Sequence, residues 1–265
     1  MVPAPAPPSD QTGPDAHAAP ARPSDPVADL ADPADAADLA DPAALAAARA
    51  LRDRLAATSA ALGRRDPAAA HPGEAVVVVG AVGRGGAAVL AAAGGAWLAR
   101  RVPPADLVQA HGWPDGTGWD VDAAMVIAAA IGAVGAAVAL GDGGLTRAAQ
   151  AVADASRVTV ALDAGAVPLH AGTARLCDAL DLNPLDLQSS GSLLLTATDR
   201  IAKSAVAALA AAGYDAAIVG RVGSLGVDGA PDEPAVVLVM GGTRRVLSAG
   251  VDGVATVLPP CDRLA

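Results

Sequence analysis

From Gly73 onward, short apolar runs alternate with segments of helical periodicity, and glycine or aspartate marks most of the junctions. The pattern predicts strands over residues 75–79, 136–140, 158–162, 193–197, 216–222, 235–240 and 245–248. Helices are predicted to begin over 87–93 and to run over 121–134, 144–155, 171–180 and 199–212. Asp199 is expected to cap the last of these and Gly213 to stop it. Between 97 and 119, Pro103, Pro104, Pro114 and several glycines predict mainly irregular chain. Apolar strands alternating with helices give the expected class: α/β, a mixed sheet packed by helices.

The first part of the chain reads differently. Residues 1–42 are mostly Pro, Ala and Asp, and Ala28-Asp-Leu-Ala-Asp-Pro33 recurs as Ala37-Asp-Leu-Ala-Asp-Pro42. Such a repeat has no core-forming periodicity, so a disordered tail is expected, with an acidic interaction tail as the alternative. Asp41 and Pro42 suit the cap and first position of a helix over 43–62. The expected division is a tail over 1–42, a helix and linker over 43–72, and one domain over 73–265. The uncharged run 123–140 is 18 residues long, near the length of a membrane span. It is mostly Ala and Gly, and Asp122 and Asp142 flank it with no Lys or Arg anchor. A buried helix followed by a strand is expected there, and no membrane span.

Composition narrows the chemistry. Hydrophobic residues make up 53% of the 265, yet there is no Phe, so the core must be built from Val, Leu, Ile and Ala. A formal charge of -10 gives a nucleic-acid role little electrostatic support. Two cysteines, Cys177 and Cys261, make no disulfide framework, so a reduced cytoplasmic setting is expected. The N-terminus lacks the basic and apolar regions of a secretory signal. His17, His71, His111 and His170 show no metal-ligand spacing, so no metal site is expected from them. His170 and Cys177 read as structural, and no residue pattern identifies a catalytic nucleophile.

Two glycine turns carry the candidate chemistry. The first, with Gly80, Gly83, Arg84, Gly85 and Gly86, lies between a strand and a helix. There, main-chain N–H groups and the helix dipole favour an anion, and Arg84 could add a charged contact. The same residues also suit a tight turn that binds nothing. Gly83, Gly85 and Ala88 fit a relaxed dinucleotide fingerprint, but no acidic residue follows at the place the ribose contact needs. In the second turn, Asp142 precedes Gly143 and Gly144. Asp142 could cap the following helix or contact a ligand.

The stretches Gly73-Glu-Ala-Val-Val-Val-Val-Gly-Ala-Val-Gly-Arg-Gly-Gly-Ala-Ala-Val-Leu90, Gly141-Asp-Gly-Gly-Leu-Thr-Arg-Ala-Ala-Gln150 and Leu182-Asn-Pro-Leu-Asp-Leu-Gln-Ser-Ser-Gly-Ser-Leu-Leu-Leu195 have a further meaning. With the strand Ala216-Ala-Ile-Val-Gly-Arg-Val222 after them, they resemble the C-terminal half of the AIR synthase-related superfamily, in particular its HypE-type hydrogenase maturation members and archaeal AIR synthase-related proteins. The resemblance implies ATP and Mg²⁺ as cofactors, and a reaction in which an amide or carboxyl oxygen is activated by phosphate and displaced. It also implies an N-terminal domain, supplying metal-binding aspartates and the dimer interface, that residues 1–72 do not resemble. An aspartate usual in the family falls near Ala139, which carries no charge. Cys261 follows Leu258-Pro-Pro, superficially like the terminal cysteine of HypE, but Asp262-Arg-Leu-Ala265 comes after it, so an incidental thiol is the preferred reading.

Three functions follow as expectations. The first is a partial family member that contributes to ATP or phosphate binding and needs a partner for the other half. The second is a non-enzymatic interaction or oligomerisation module, whose exposed sheet face is covered by another protein or a second copy. The third is a nicotinamide-dependent oxidoreductase using Gly83, Gly85 and Ala88.

Overall fold

The computed structural model describes residues 66–111, 121–227, 229–248 and 252–257, with Ala46 and Ala50 as isolated helical positions. The tail expected over 1–42, most of the helix over 43–62, and Cys261 lie outside the described residues. Among the described residues, seven strands form one mixed sheet: β1 (Ala75–Val79), β2 (Ala137–Ala139), β3 (Thr159–Asp163), β4 (Leu193–Ala197), β5 (Ala216–Gly223), β6 (Ala235–Met240) and β7 (Thr243–Leu247). Their spatial order is β2-β4-β1-β5-β3-β6-β7. Only the β3–β6 pair is parallel; all other neighbours run antiparallel. The helices are α1 (Arg84–Ala99), α2 (Pro104–His111), α3 (Val121–Ile131), α4 (Gly144–Ser156), α5 (Ala171–Ala179), α6 (Asp199–Ala211) and the short α7 (Gly253–Val257).

The apolar pattern explains the layers. All five residues of β1 are buried, because both faces of the sheet are covered there. Val76 and Val78 face α4, where Leu145, Ala149, Val152 and Ala153 complete one core. Val77 and Val79 turn the other way, toward Ala124 and Ala128 of α3 and toward Ile201, Ala202 and Leu209 of α6. Alanine lets these helices approach the sheet closely, which substitutes for bulk in a chain without Phe. A third cluster lies off the sheet: Leu90, Trp97 and Leu98 of α1 pack with Leu176 and Cys177 of α5, Leu187 and Val254.

The differences from expectation have local causes. Helix α1 begins at Arg84 rather than near 87, because Gly83 caps it in the left-handed region and Gly85 and Gly86 enter its first turn. The stretch expected to be irregular continues α1 to Ala99 and holds α2, which opens on Pro104. Proline is well placed there, since a first-turn N–H has no intrahelical acceptor to lose. Thr198 rather than Asp199 is the cap residue of α6; Asp199 sits in the first turn and pairs with Arg221. The uncharged run divides into α3 and β2 as expected, although α3 buries only one side and leaves Val126 exposed. Among the described residues, no helix is long and apolar enough to cross a membrane.

Strand contact leaves no room at Gly220. It sits opposite Leu162, and a Cβ there would come within 1.9 Å of the Ala161 carbonyl oxygen. Gly220→Ala is therefore expected to lower stability by about 2 kcal/mol or more. Urea unfolding followed by circular dichroism is the check, and an unchanged midpoint would show that β3 and β5 can separate at no cost.

Candidate functional site

Strands β1 and β2 both run antiparallel to β4, so their C-terminal ends lie at the start of β4. Gly80–Gly86 leaves β1 and Gly141–Gly144 leaves β2, which brings both glycine bends to one edge of the sheet. The segment 182–192 runs between them and binds each.

Ser189 joins the two bends directly. Its Oγ accepts from Gly83 N at 2.8 Å and donates to Leu187 O at 2.8 Å, while its own N donates to Gly141 O at 3.2 Å. Gln188 makes a second link: its carbonyl accepts from Gly86 N at 2.8 Å, and its Nε2 donates to Asp142 Oδ1 at 3.1 Å. Gln188 N in turn donates to Asp252 Oδ1 at 3.1 Å, which also accepts from Val254 N and so opens α7. Gln188 and Ser189 are buried, and Gln188 Oε1 has no hydrogen-bond partner. Sequence reasoning singled out none of Gln188, Ser189 and Asp252 as site residues. The available signal was the polar run Gln188-Ser-Ser-Gly-Ser192 placed directly before the leucine-rich strand β4.

Each glycine-turn residue has a defined place. Gly80 N donates to Asp215 O at 2.7 Å. Gly83, Gly85 and Gly86 are buried, and Arg84 is half-buried at the first position of α1. Burial lowers the Arg84 pKa from its ordinary value, and the charge of Asp215 opposes that shift. Gly143 caps α4 with φ +73°, and no side chain caps the helix. Asp142 therefore does not cap it: the left-handed glycine sets the helix start, and the Asp142 carboxylate is turned to Gln188. Gly144 allows the closest approach among the glycines of the two turns, since at φ +56° a Cβ would lie 2.4 Å from both Leu185 O and Leu187 O.

The dinucleotide spacing of Gly83, Gly85 and Ala88 lies in the wrong frame. The nicotinamide fold needs a parallel strand beside the glycine loop, whereas both neighbours of β1 are antiparallel. Among the described residues, no group of three or more His, Cys, Asp or Glu could hold a metal ion. His71 Nδ1 lies 3.8 Å from Glu74, and His170 is the cap residue of α5 without a side-chain cap bond. Arg175 donates through its guanidinium fork to buried Asp106, tying α5 to α2; this hydrogen bond holds the Asp106 carboxyl below its usual range.

The chain matches the family described as AIR synthase related protein, C-terminal domain, over residues 71–229. It belongs to that family. Carbamoyl dehydratase HypE of Rhodobacter capsulatus is 33% identical over 153 residues, which cover 57% of this chain and 42% of that protein. A HypE structure in complex with ATP is similar with a TM-score of 0.56 and 22% identity, covering 73% of this chain and 55% of that one. Escherichia coli HypE gives a TM-score of 0.58 at 20% identity, covering 74% and 56%. These structural likenesses establish the HypE-like fold, and the chain spans about half the length of the relatives it matches.

Two measurements check this geometry. Ser189→Ala leaves the buried Gly83 N–H without its acceptor, so a loss of about 1–3 kcal/mol is expected in chemical unfolding; a loss near zero would mean the bends hold together without it. Cys177 is buried in the helical cluster, and burial, with Asp178 adding, pushes its thiol up to about 12. Iodoacetamide at pH 8.5 should leave the Cys177 peptide unmodified in native protein and alkylate it in urea, as read by mass spectrometry.

Proposed function

We propose that this chain forms one wall of an ATP-dependent, HypE-like active site, and that the sheet edge carrying the two glycine bends meets the phosphates. One observation carries the reading: the N-termini of α1 and α4 converge on that edge, both start at left-handed glycines, and neither has a side-chain cap. Helix N-termini favour an anion through their dipole and main-chain N–H groups; of those groups, Gly83 N, Gly86 N and Gly144 N already donate to Ser189, Gln188 and Gly141. Arg84 at the start of α1 adds a cation, and Gln188 fixes the carboxylate of Asp142 beside the second bend.

The residues present suit binding and orientation of phosphate more than chemistry. They do not fit a resident Mg²⁺ ion, because among the described residues Asp142 belongs to no group of three or more metal-ligating side chains, and one of its oxygens already accepts from Gln188. When bound, ATP would activate the oxygen of a carbamoyl group for departure, as the name of the R. capsulatus relative suggests. Residues outside the matched stretch supply the rest of the pocket. A likeness to a HypE–HypF complex supports a protein partner in such a role. The setting proposed is cytoplasmic.

A second reading, an interaction or oligomerisation module, is favoured by Val227 and Val246, which are 52% and 56% exposed.

Titration of the full chain with ATP and Mg²⁺ tests the first reading. Amide shifts are expected at Gly83–Gly86 and Gly143–Gly144, with hydrolysis at background. Arg84→Ala should weaken binding about tenfold, the effect of one charge-assisted hydrogen bond. Shifts confined to other parts of the sheet, or rapid turnover by the chain alone, would refute the proposal.

A further inference from the structure

Helix α3 is apolar on every side. From Ala123 to Ile131 it holds no polar residue, and a helix of that kind is normally buried all round. Its inner side follows the rule: Ala124 and Ala128 pack with Ile201, Ala202 and Leu209 of α6. Its outer side does not. Val126, Ala129 and Ala130 lie opposite those two alanines around the helix, and all three are exposed, Val126 at 68%. Ile131, at the end of the helix, is 38% exposed.

A length of chain able to cover this side enters beside it. The carbonyl of Asp66 accepts from Ala137 N at 3.1 Å on the free edge of β2. Pro67 O accepts from Ser156 Oγ at 2.7 Å, which fastens the same corner to the end of α4. Residues 132–136 lead from α3 into β2, and a Cβ on Gly135 would lie 2.9 Å from Ala69 O. The exit of α3 therefore passes against the stretch 66–69. Residues 63–65 separate Asp66 from the segment 43–62, which as a helix would be about 30 Å long, against about 17 Å for α3.

The segment also has the complementary pattern. On a helix over 43–62, Leu51, Leu55 and Leu62 fall on one side, together with Ala44 and Ala48. Arg49 and Asp53 fall on the other side, and so do Ala46 and Ala50, both of which are helical and exposed in the structure. We propose that residues 43–62 form a helix that docks in the same chain on the outer side of α3. The two helices run in the same direction, because the C-terminal ends of both are held near β2. Leu55 and Leu62 lie on Val126, Ala129 and Ala130, where the alanines let the helix axes come close.

The test is thiol labelling of the full chain by N-ethylmaleimide, read by peptide mass spectrometry, with each native rate divided by the rate of the same site in urea. Val126→Cys should react at least tenfold more slowly than Ala46→Cys, which marks the open side of the docked helix; a covered thiol reacts only while the helix is undocked. Ala130→Cys is a second reporter of the same surface and should be protected likewise. Adding Leu55→Asp together with Leu62→Asp should abolish the protection, whereas Ala50→Asp, a carboxylate on the open side, should leave it intact. Protection should be the same at low and high protein concentration. Equal labelling at Val126→Cys and Ala46→Cys, protection that survives the paired leucine replacements, or protection that grows with protein concentration, as cover by a second copy would, each overturns the proposal.

Discussion

The candidate site depends on one serine that holds two turns at once. Ser189 takes the Gly83 amide on its hydroxyl and gives its own amide to Gly141, so the loops after β1 and β2 cannot move apart without breaking a buried hydrogen bond. Gln188 repeats the arrangement one residue earlier, with its backbone on the first bend and its side chain on the second. Because such groups are sheltered from water, losing a partner is costly, and the loop acts as a rigid brace. Close approach at Gly144 follows from the same constraint, since the brace passes where any side chain would stand.

Much of the architecture was legible in the sequence. The runs at 193–197 and 235–240 gave strands with the observed limits, α4 was legible from the glycine turn that opens it, and α6 from the Gly213 stop. Proline misled where it opened a helix rather than ending one, as at Pro104. Caps were harder: Asp142 and Asp199 are good capping residues by type, yet one is taken by Gln188 and the other by Arg221. Both partners are far away in sequence, and no local pattern announces them. The strand order, with β1 between two antiparallel neighbours, also arises from long-range pairing and was not readable from spacing. It is this order that separates the glycine loop from a nicotinamide frame.

The site shows the same division. Gly83, Gly86, Gly143 and Gly144 could be chosen as turn glycines because their type and placement are local properties. That they share one edge required the antiparallel alignment of β1 and β2 with β4. Gln188 and Ser189 escaped notice because a polar pair in a loop looks ordinary until its burial is known. Family membership adds the frame of an AIR synthase-related C-terminal domain to this geometry.

The outermost strand, β7, exposes four of its five residues and carries Arg244 and Arg245 side by side on opposite faces. Laying an identical strand antiparallel against it would crowd guanidinium groups on both sides of the new ladder. Like charges at a bare margin are a recognised deterrent to such growth. The fold thereby resists stacking into a continuous ribbon along that strand.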